Sequence, residues 1–222
     1  MRMLLRSRML TITLLALSAM LALGGCAMPG LPSSTATNLS ASEIALRATQ
    51  VQFKDIAFTL SINAGSLIPI QGTGTGLVTK GPDRSQVTVD VPISLGDKPQ
   101  DTKVEAIADL ATSKVYTRTT TNANTSQWEV QSVADASSDF ASLIDARDMS
   151  SPILAGTETV NGVQCYHLTG TYKDSPVEAW INTSSFHLVK AIGSAKSDGI
   201  TVNVTLNVTG YDTGKTITLP AV

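Results

Sequence analysis

The sequence predicts an α+β fold: a strongly curved antiparallel β-sheet, a half-barrel of about 10–11 strands, with helices packed on its concave side. Three observations predict it. Apolar and polar residues alternate with period two along most of the chain beyond residue 55. Short turn signals separate these runs, which makes successive strands antiparallel. Two segments, near 42–50 and 137–149, carry helical spacing instead. A sheet this wide must curl. Its concave face is then either filled by the helices or leaves an apolar space beneath them.

The chain begins with a different kind of element. Arg2, Arg6 and Arg8 precede the apolar stretch Met9–Leu23, and Leu23-Gly24-Gly25-Cys26 closes it. A charged region, an apolar region and a small-residue processing site are the parts of a secretory leader. A cysteine directly after two glycines is the pattern of a bacterial lipobox. Cys26 is therefore expected to carry a diacylglycerol and palmitate-type acyl chains, and to become the first residue after cleavage. The alternatives are a plain signal peptide or an N-terminal anchor with an incidental cysteine. The apolar run is short for a membrane span of about 20 residues. Residues 1–25 are thus expected to be a lipoprotein signal peptide, 26–39 an acylated cysteine and tether, and 40–222 one domain at the extracytoplasmic face of the cell membrane.

Residues Ala27–Leu39 (AMPGLPSSTATNL) are dominated by small, polar and turn-forming types, a tether with a coil dimension of about 20 Å. Ser40-Ala41-Ser42-Glu43 is a capping box before Ile44, Ala45, Leu46 and Ala48, and predicts a helix over 42–50. Period two follows. Ile56, Phe58, Leu60 and Ile62 alternate with Ala57, Thr59 and Ser61. Val87, Val89, Val91 and Ile93 form a second such set, Val104, Ala106, Ala108 and Leu110 a third, and Ile200, Val202, Val204, Leu206 and Val208 the cleanest. Each predicts a strand with one dry and one wet face. Gly72-Thr73-Gly74-Thr75-Gly76 precedes a strand rather than opening a helix. It predicts a glycine-rich strand that bends or bulges, not a phosphate cradle. Asn161-Gly162 has the chemistry of a type I′ hairpin turn. Gly81-Pro82-Asp83, Lys173-Asp174-Ser175-Pro176, Ser197-Asp198-Gly199 and Asp212-Thr213-Gly214 are further turn signals. Over 137–149, Phe140, Leu143 and Ile144 share a face behind Ser137 or Ser138, which predicts a second helix inserted between strands.

Composition excludes several functions. The leader holds three of the 16 basic residues and none of the 18 acidic ones, so the remaining 197 residues carry a net charge of −5. A mildly acidic domain without a basic run is a poor ligand for nucleic acid, and it lacks a polybasic patch for anionic membranes. With Cys26 acylated, Cys165 has no disulfide partner and is expected to be a small buried hydrophobe. His167 and His187 fall in strand patterns, without the Cys, Asp or Glu spacing of a metal site. No nucleophile elbow, zincin motif or P-loop is present. Asp101, Glu105 and Asp109 are expected on a solvated face. The Asn-x-Ser/Thr triplets at Asn38, Asn124, Asn182, Asn203 and Asn207 are taken as threonine-rich strand composition. Trp128 and Trp180 are expected in strands, as core or cavity-wall residues. The expectation is a non-enzyme that uses no metal or cofactor.

The lipobox and tether, the capped helix, the run Val104–Tyr116 (VEAIADLATSKVY), the segment Gly156–Tyr172 (GTETVNGVQCYHLTGTY), Val177-Glu178-Ala179-Trp180-Ile181 and the terminal Ile217-Thr218-Leu219-Pro220 resemble the mycobacterial LppX/LprA/LprF/LprG lipoproteins. That family is similar in fold to the LolA/LolB carriers, a curved half-barrel closed by helices around an apolar cavity. The resemblance implies a membrane-tethered binder of acylated lipid or glycolipid, and it brings no catalytic residue. The dry face expected to meet acyl chains comprises Ile56, Phe58 and Leu60, Val87, Val89 and Val91, Val104 and Ala106, and Val202, Val204 and Leu206, with Phe140 and Ile144 on a helical flap. For each of these residues ordinary core packing is the alternative. Acyl lipid or glycolipid and the membrane are the expected partners, a membrane transporter is a further candidate, and nucleic acid is excluded. A different use of the same fold is an envelope sensor or interaction module that contacts a membrane protein. An extracytoplasmic hydrolase lacks a catalytic set.

Overall fold

The computed structural model describes residues 39–65, 70–95, 98–132, 149–172, 175–197 and 200–222. The expected signal peptide, Cys26 and the second helix with Phe140 and Ile144 lie outside the described residues. Helix α1 spans Ala41–Thr49, one residue earlier at each end than the sequence pattern places it. Its capping box is formed. The Glu43 backbone N–H donates to the Ser40 hydroxyl at 3.3 Å, and the Ser40 N–H donates to the Glu43 carboxylate at 2.8 Å. These bonds satisfy donors that the first turn leaves without partners. The Ser40 backbone N–H, and then its hydroxyl, hold the Glu43 carboxyl below the usual carboxylate range.

Among the described residues twelve strands form one sheet: β1 (Asp55–Gly65), β2 (Ile70–Thr79), β3 (Arg84–Leu95), β4 (Lys98–Asp109), β5 (Lys114–Thr121), β6 (Asn124–Thr125), β7 (Glu129–Ser132), β8 (Ser150–Val160), β9 (Val163–Tyr172), β10 (Ser175–Asn182), β11 (Leu188–Ser197) and β12 (Ile200–Tyr211). Their spatial order is β6-β5-β4-β3-β2-β1-β12-β11-β10-β9-β8, with β7 also paired to β5. One wing therefore runs outward from β1 to β5 and the other inward from β8 to β12. The first and last long strands meet at an antiparallel seam, where Leu60 faces Leu206 and Ile62 faces Val204. The order does not close into a barrel.

The count exceeds the expected 10–11 because the chain folds back after β5. Asn122 and Ala123 both take positive φ (46° and 70°), and the short β6 and β7 return along β5. Asn161 and Gly162 have φ of 52° and 78°, the two left-handed positions of a type I′ turn, and Val160 and Val163 pair directly across it. The glycine-rich run carries no bulge: β2 keeps an unbroken register against β1 and β3. Its glycines answer crowding instead. A Cβ on Gly76 would lie inside the Phe58 ring, and one on Gly74 would overlap the Thr88 carbonyl oxygen.

Residues 213–222 carry no regular structure, and Ile217 packs on the face of the sheet opposite Val87 and Ala106. The segment is fixed at its start by Asp55, a buried carboxylate. It accepts from the backbone N–H of Thr213 (2.9 Å), the Thr213 hydroxyl and the N–H of Gly214 (2.9 Å). Burial alone would raise the Asp55 carboxyl; the Thr213 hydroxyl, the two backbone donors and Lys215 outweigh it and hold the group below its ordinary range. Farther along, Ile217 is buried with Ile107 and Tyr116, with Leu77, Trp128 and Leu219 packed around them. The Arg84 Nη1 donates to the Ile217 carbonyl at 2.9 Å. The tail is thus a strap over the outer side of β2, β4 and β5. Asp109 is buried beneath this region, 3.9 Å from Arg84 and bonded by the Thr112 hydroxyl. Glu105 pairs with Arg118 at 2.6 Å. Neither is the freely solvated carboxylate that alternation suggests, because the strap and the neighbouring strand cover them; Asp101 is exposed.

Candidate functional site

Residues paired directly across strands share a face of the sheet. One row illustrates what the pattern builds. It runs Val104–Val89–Gly74–Leu60–Leu206–Ala191–Ala179–Leu168–Leu154, from β4 to β8. No polar side chain interrupts it. The outer face beside this row carries Thr59, Thr75, Thr88 and Glu105 on one wing and Thr205, Ile192 and Glu178 on the other.

The expected apolar residues come together on this face. Ile56, Phe58, Leu60, Val87, Val89, Val91, Val104 and Leu206 form one buried cluster, and Val204 packs against it. Ala106 and Val202 join the same face through Val87 and Ala64. The two wings differ in what surface they keep. Val87, Val89 and Ala106 are 0 % exposed, which leaves no surface for a ligand to touch. Accessible apolar area lies along the seam and on β11, at Ile62, Ile70, Leu188, Val204 and Val208. Alternation marked Ile62 and Val208 as dry-face residues, but it carries no information on which dry residues remain accessible.

The other wing is covered by α1. Ile44 and Ala45 pack with Leu168, Val177, Ala179 and Ile181 of β9 and β10, and with Met149 and Tyr172. Val177, Ala179 and Ile181 alternate with Glu178 and Trp180, so period two was available there as a signal. Gly170 is required beneath Met149, whose side chain occupies the place of a Cβ.

At the end where β1 begins and β12 finishes, aromatic side chains gather. Tyr211 stands 6.2 Å from Phe53, edge to face, and 4.1 Å from His187, and its hydroxyl donates to the Leu188 carbonyl at 2.9 Å. Tyr166 stacks on Phe186 at 6.3 Å, and the Arg47 guanidinium of α1 lies 5.2 Å over that ring. His187 lies in the turn before β11, not inside a strand. Burial lowers its pKa, partly countered by Asp212. Burial also raises the Tyr211 phenol well above its ordinary value.

His167 points to the outer face. Its Nε2 meets Glu178 at 2.8 Å, its Nδ1 meets Glu158 at 3.2 Å, and its ring stacks on Trp180 at 4.4 Å. The Trp180 indole N–H donates to Glu158, and the Lys190 Nζ lies 4.3 Å over the indole. Both imidazole nitrogens are engaged, so the cluster clamps β8 to β11. Trp180 is therefore not a cavity wall. Trp128 lies between β6 and β7 rather than in a strand, and its indole receives Arg118 at 4.5 Å. Cys165 is buried in β9 with its thiol raised by that burial. Among the described residues, no three His, Cys, Asp or Glu side chains are placed to hold a metal ion, and no helix is long and apolar enough to cross a membrane.

A family model described as "Predicted periplasmic protein (DUF2092)" matches residues 132–218. No curated protein matches the chain. Among solved structures, the lipoprotein LppX of Mycobacterium tuberculosis is similar at 15% identity, with 78% of this chain and 93% of that one covered and a TM-score of 0.48. A LolA superfamily protein of Nitrosomonas europaea is similar at 16% identity, with 82% and 96% covered and a TM-score of 0.31. MucB in complex with MucA(peri) follows at 14% identity, with 77% and 56% covered and a TM-score of 0.37.

Proposed function

We propose that this chain is an extracytoplasmic lipoprotein, anchored through an acylated Cys26, whose apolar sheet face binds the acyl chains of a lipid or glycolipid and carries or presents them at the cell envelope. The observation that carries the reading is the uninterrupted apolar row from β4 to β8, with accessible aliphatic surface at the seam. Acyl burial contributes about 0.8 kcal/mol per CH₂, so such a face holds a long chain without a specific polar contact. The lipid-contacting set narrows to Ile62, Ile70, Leu188, Val204 and Val208, with Phe58, Leu60 and Leu206 as the packed layer behind them. The family description over residues 132–218 supports a location outside the cytoplasm.

The test is direct. The full chain is purified from membranes, extracted with organic solvent, and the extract and the remaining protein are analysed by mass spectrometry. Extractable acyl lipid near one mole per mole, together with a covalent lipid on Cys26 that Cys26→Ser removes, is the expected result. A protein that yields no extractable lipid sinks the carrier reading. One observation favours a second reading, an interaction module for a membrane protein. Edge strand β8 leaves Ile153 63% exposed, and open strand edges accept partner strands. An empty apolar face combined with stable capture of a membrane protein through β8 would decide for it.

A further inference from the structure

We infer that the aromatic cluster at the β1-start end of the apolar face is the floor of the acyl-chain site: Phe53, Phe186 and Tyr211 stop the chain's terminal methyl, and the lipid's polar end lies at the opposite, Ile62–Ile70 end of the seam. The inference rests on the lipid-binding reading above and adds an orientation and a length limit to it.

Two irregularities of the sheet build this floor. The register of β1 on β12 shifts between Ala57 and Phe58, so that Phe58 faces Val208 while Ile56 faces Tyr211. Tyr211 and Val208 would lie on opposite faces of a regular strand; the bulge brings both onto the apolar one. The register of β10 on β11 shifts between Trp180 and Ile181, so that Trp180 faces Lys190 while Ile181 faces Leu188. Leu188 thereby turns inward although Lys190 turns outward. Bulges re-aim side chains, and these two act at the same end of the sheet, on strands either side of the β11–β12 pairing. Their products are joined by the bond from the Tyr211 hydroxyl to the Leu188 carbonyl.

The floor is lined by half-buried rings. The side-chain oxygen of Tyr211 is spent on that carbonyl; burial raises the Tyr211 phenol and lowers the His187 imidazole, the latter partly countered by Asp212. The rings form two groups, Phe53 and His187 on Tyr211 and Tyr166 on Phe186, and Leu188 packs against the core cluster of each. Arg47 and Lys80 cover the rings of Phe186 and Phe53. A methyl terminus meets ring faces there, and the nearby cations are already engaged, Arg47 over Phe186, and Lys80 over Phe53 and 3.9 Å from Asp83. At the other end Ile62, Ile70 and Val204 are aliphatic and partly accessible. A chain laid along the seam would meet rings at one end and partly accessible aliphatic side chains at the other.

The test uses the full chain, stripped of lipid and reloaded with stearate labelled by a doxyl group at carbon 5 or carbon 16. Phe186→Trp places a reporter in the floor, and the parent's emission, from Trp128 and Trp180 on the outer face, is subtracted. Binding of each label is read independently by electron paramagnetic resonance. The expected result is quenching of the new indole about threefold stronger by the carbon-16 label than by the carbon-5 label. Equal or reversed quenching with both labels bound overturns the floor and leaves lipid binding standing; the reversed case would place the headgroup beside Arg47 and Lys80. Absence of any bound label overturns the lipid-binding reading and this inference with it. A second measurement does not depend on the tryptophan. Phe53→Ala and Phe186→Ala act on half-buried residues outside the strands. In competition among saturated fatty acids they are expected to shift the preferred chain longer by about two carbons, since truncating a ring opens space. An unchanged length profile at undiminished loading overturns the proposal.

Discussion

Phe58 and Gly76 share one volume, and that pair shows how strongly single residues are specified here. The Phe58 ring occupies the place of a side chain on Gly76, whereas at Gly74 the obstacle is the Thr88 carbonyl, a backbone atom that cannot rotate away. Gly74→Ala is therefore expected to destabilise more than Gly76→Ala. In a double-mutant cycle measured by urea denaturation, Phe58→Leu is expected to recover part of the Gly76→Ala loss, with a coupling of about 1 kcal/mol or more, and none of the Gly74→Ala loss. Asp55 is specified in the same way by donors rather than by shape. Removing its carboxylate leaves the Thr213 and Gly214 donors unmade, and Asp55→Ala is expected to cost about 2–4 kcal/mol at neutral pH. The sign of its pH dependence follows from a carboxyl held low in the folded state. Its stabilisation is complete above the unfolded value of about 4 and is lost as pH falls below that. The stability gap between parent and Asp55→Ala should then narrow on acidification from pH 5 to pH 3. A gap that stays constant would mean that the donors do not recognise the charge.

At the scale of elements, the helix and the tail are each held by a short local device. Ser40→Ala removes the hydroxyl half of the capping box and is expected to cost about 1 kcal/mol, read as a lowered melting temperature. The tail strap is a larger contribution. Truncation after Lys215 keeps the Asp55 anchor but removes Ile217 and Leu219, which uncovers Ile107 and Tyr116. Loss of about 2–4 kcal/mol and new binding of a hydrophobic dye are expected. An unchanged melt would show that the strap only rests on the sheet. These two elements also mark the limits of the sequence. The capping box is local chemistry, with partners three residues apart, so Ser40 and Glu43 suffice to announce α1. The strands were equally legible because alternation is local. The strap was not: Ile217 meets Ile107 and Tyr116 across a hundred residues, and nothing near Ile217 encodes that. The bulges were hidden for the same reason. A register shift is a property of two strands, so Tyr211 and Leu188 look like outward residues in their own runs. Small strands such as β6 and β7 escaped because two to four residues carry no period.

Across the whole molecule, one face of a single open sheet supplies both the stabilising core and the candidate site, and the two uses are separated along it. Leu206 on β12 belongs to the same buried cluster as Val87 and Val89 on β3, so the two wings of the sheet stabilise each other across the seam. Of the dry-face residues expected from alternation, those on β3 and β4 are sealed, while Val204 keeps accessible surface. A charge placed at the two kinds of position should therefore have opposite consequences. Val89→Asp buries an uncompensated carboxylate among Val87, Val91 and Val104 and is expected to unfold the domain. Val204→Asp leaves its charge a route to water, so the melting temperature of the unloaded protein should fall by only a few degrees, while acyl lipid recovered after purification should drop by about tenfold or more. Ligand binding stabilises the folded state in proportion to occupancy, about 2.7 kcal/mol at a hundredfold excess over Kd. Adding lipid should consequently raise the melting temperature of the parent and leave that of Val204→Asp unchanged. If stability and loading fall together in Val204→Asp, the seam is core in the same sense as β3 and β4, and the site must lie elsewhere on the face.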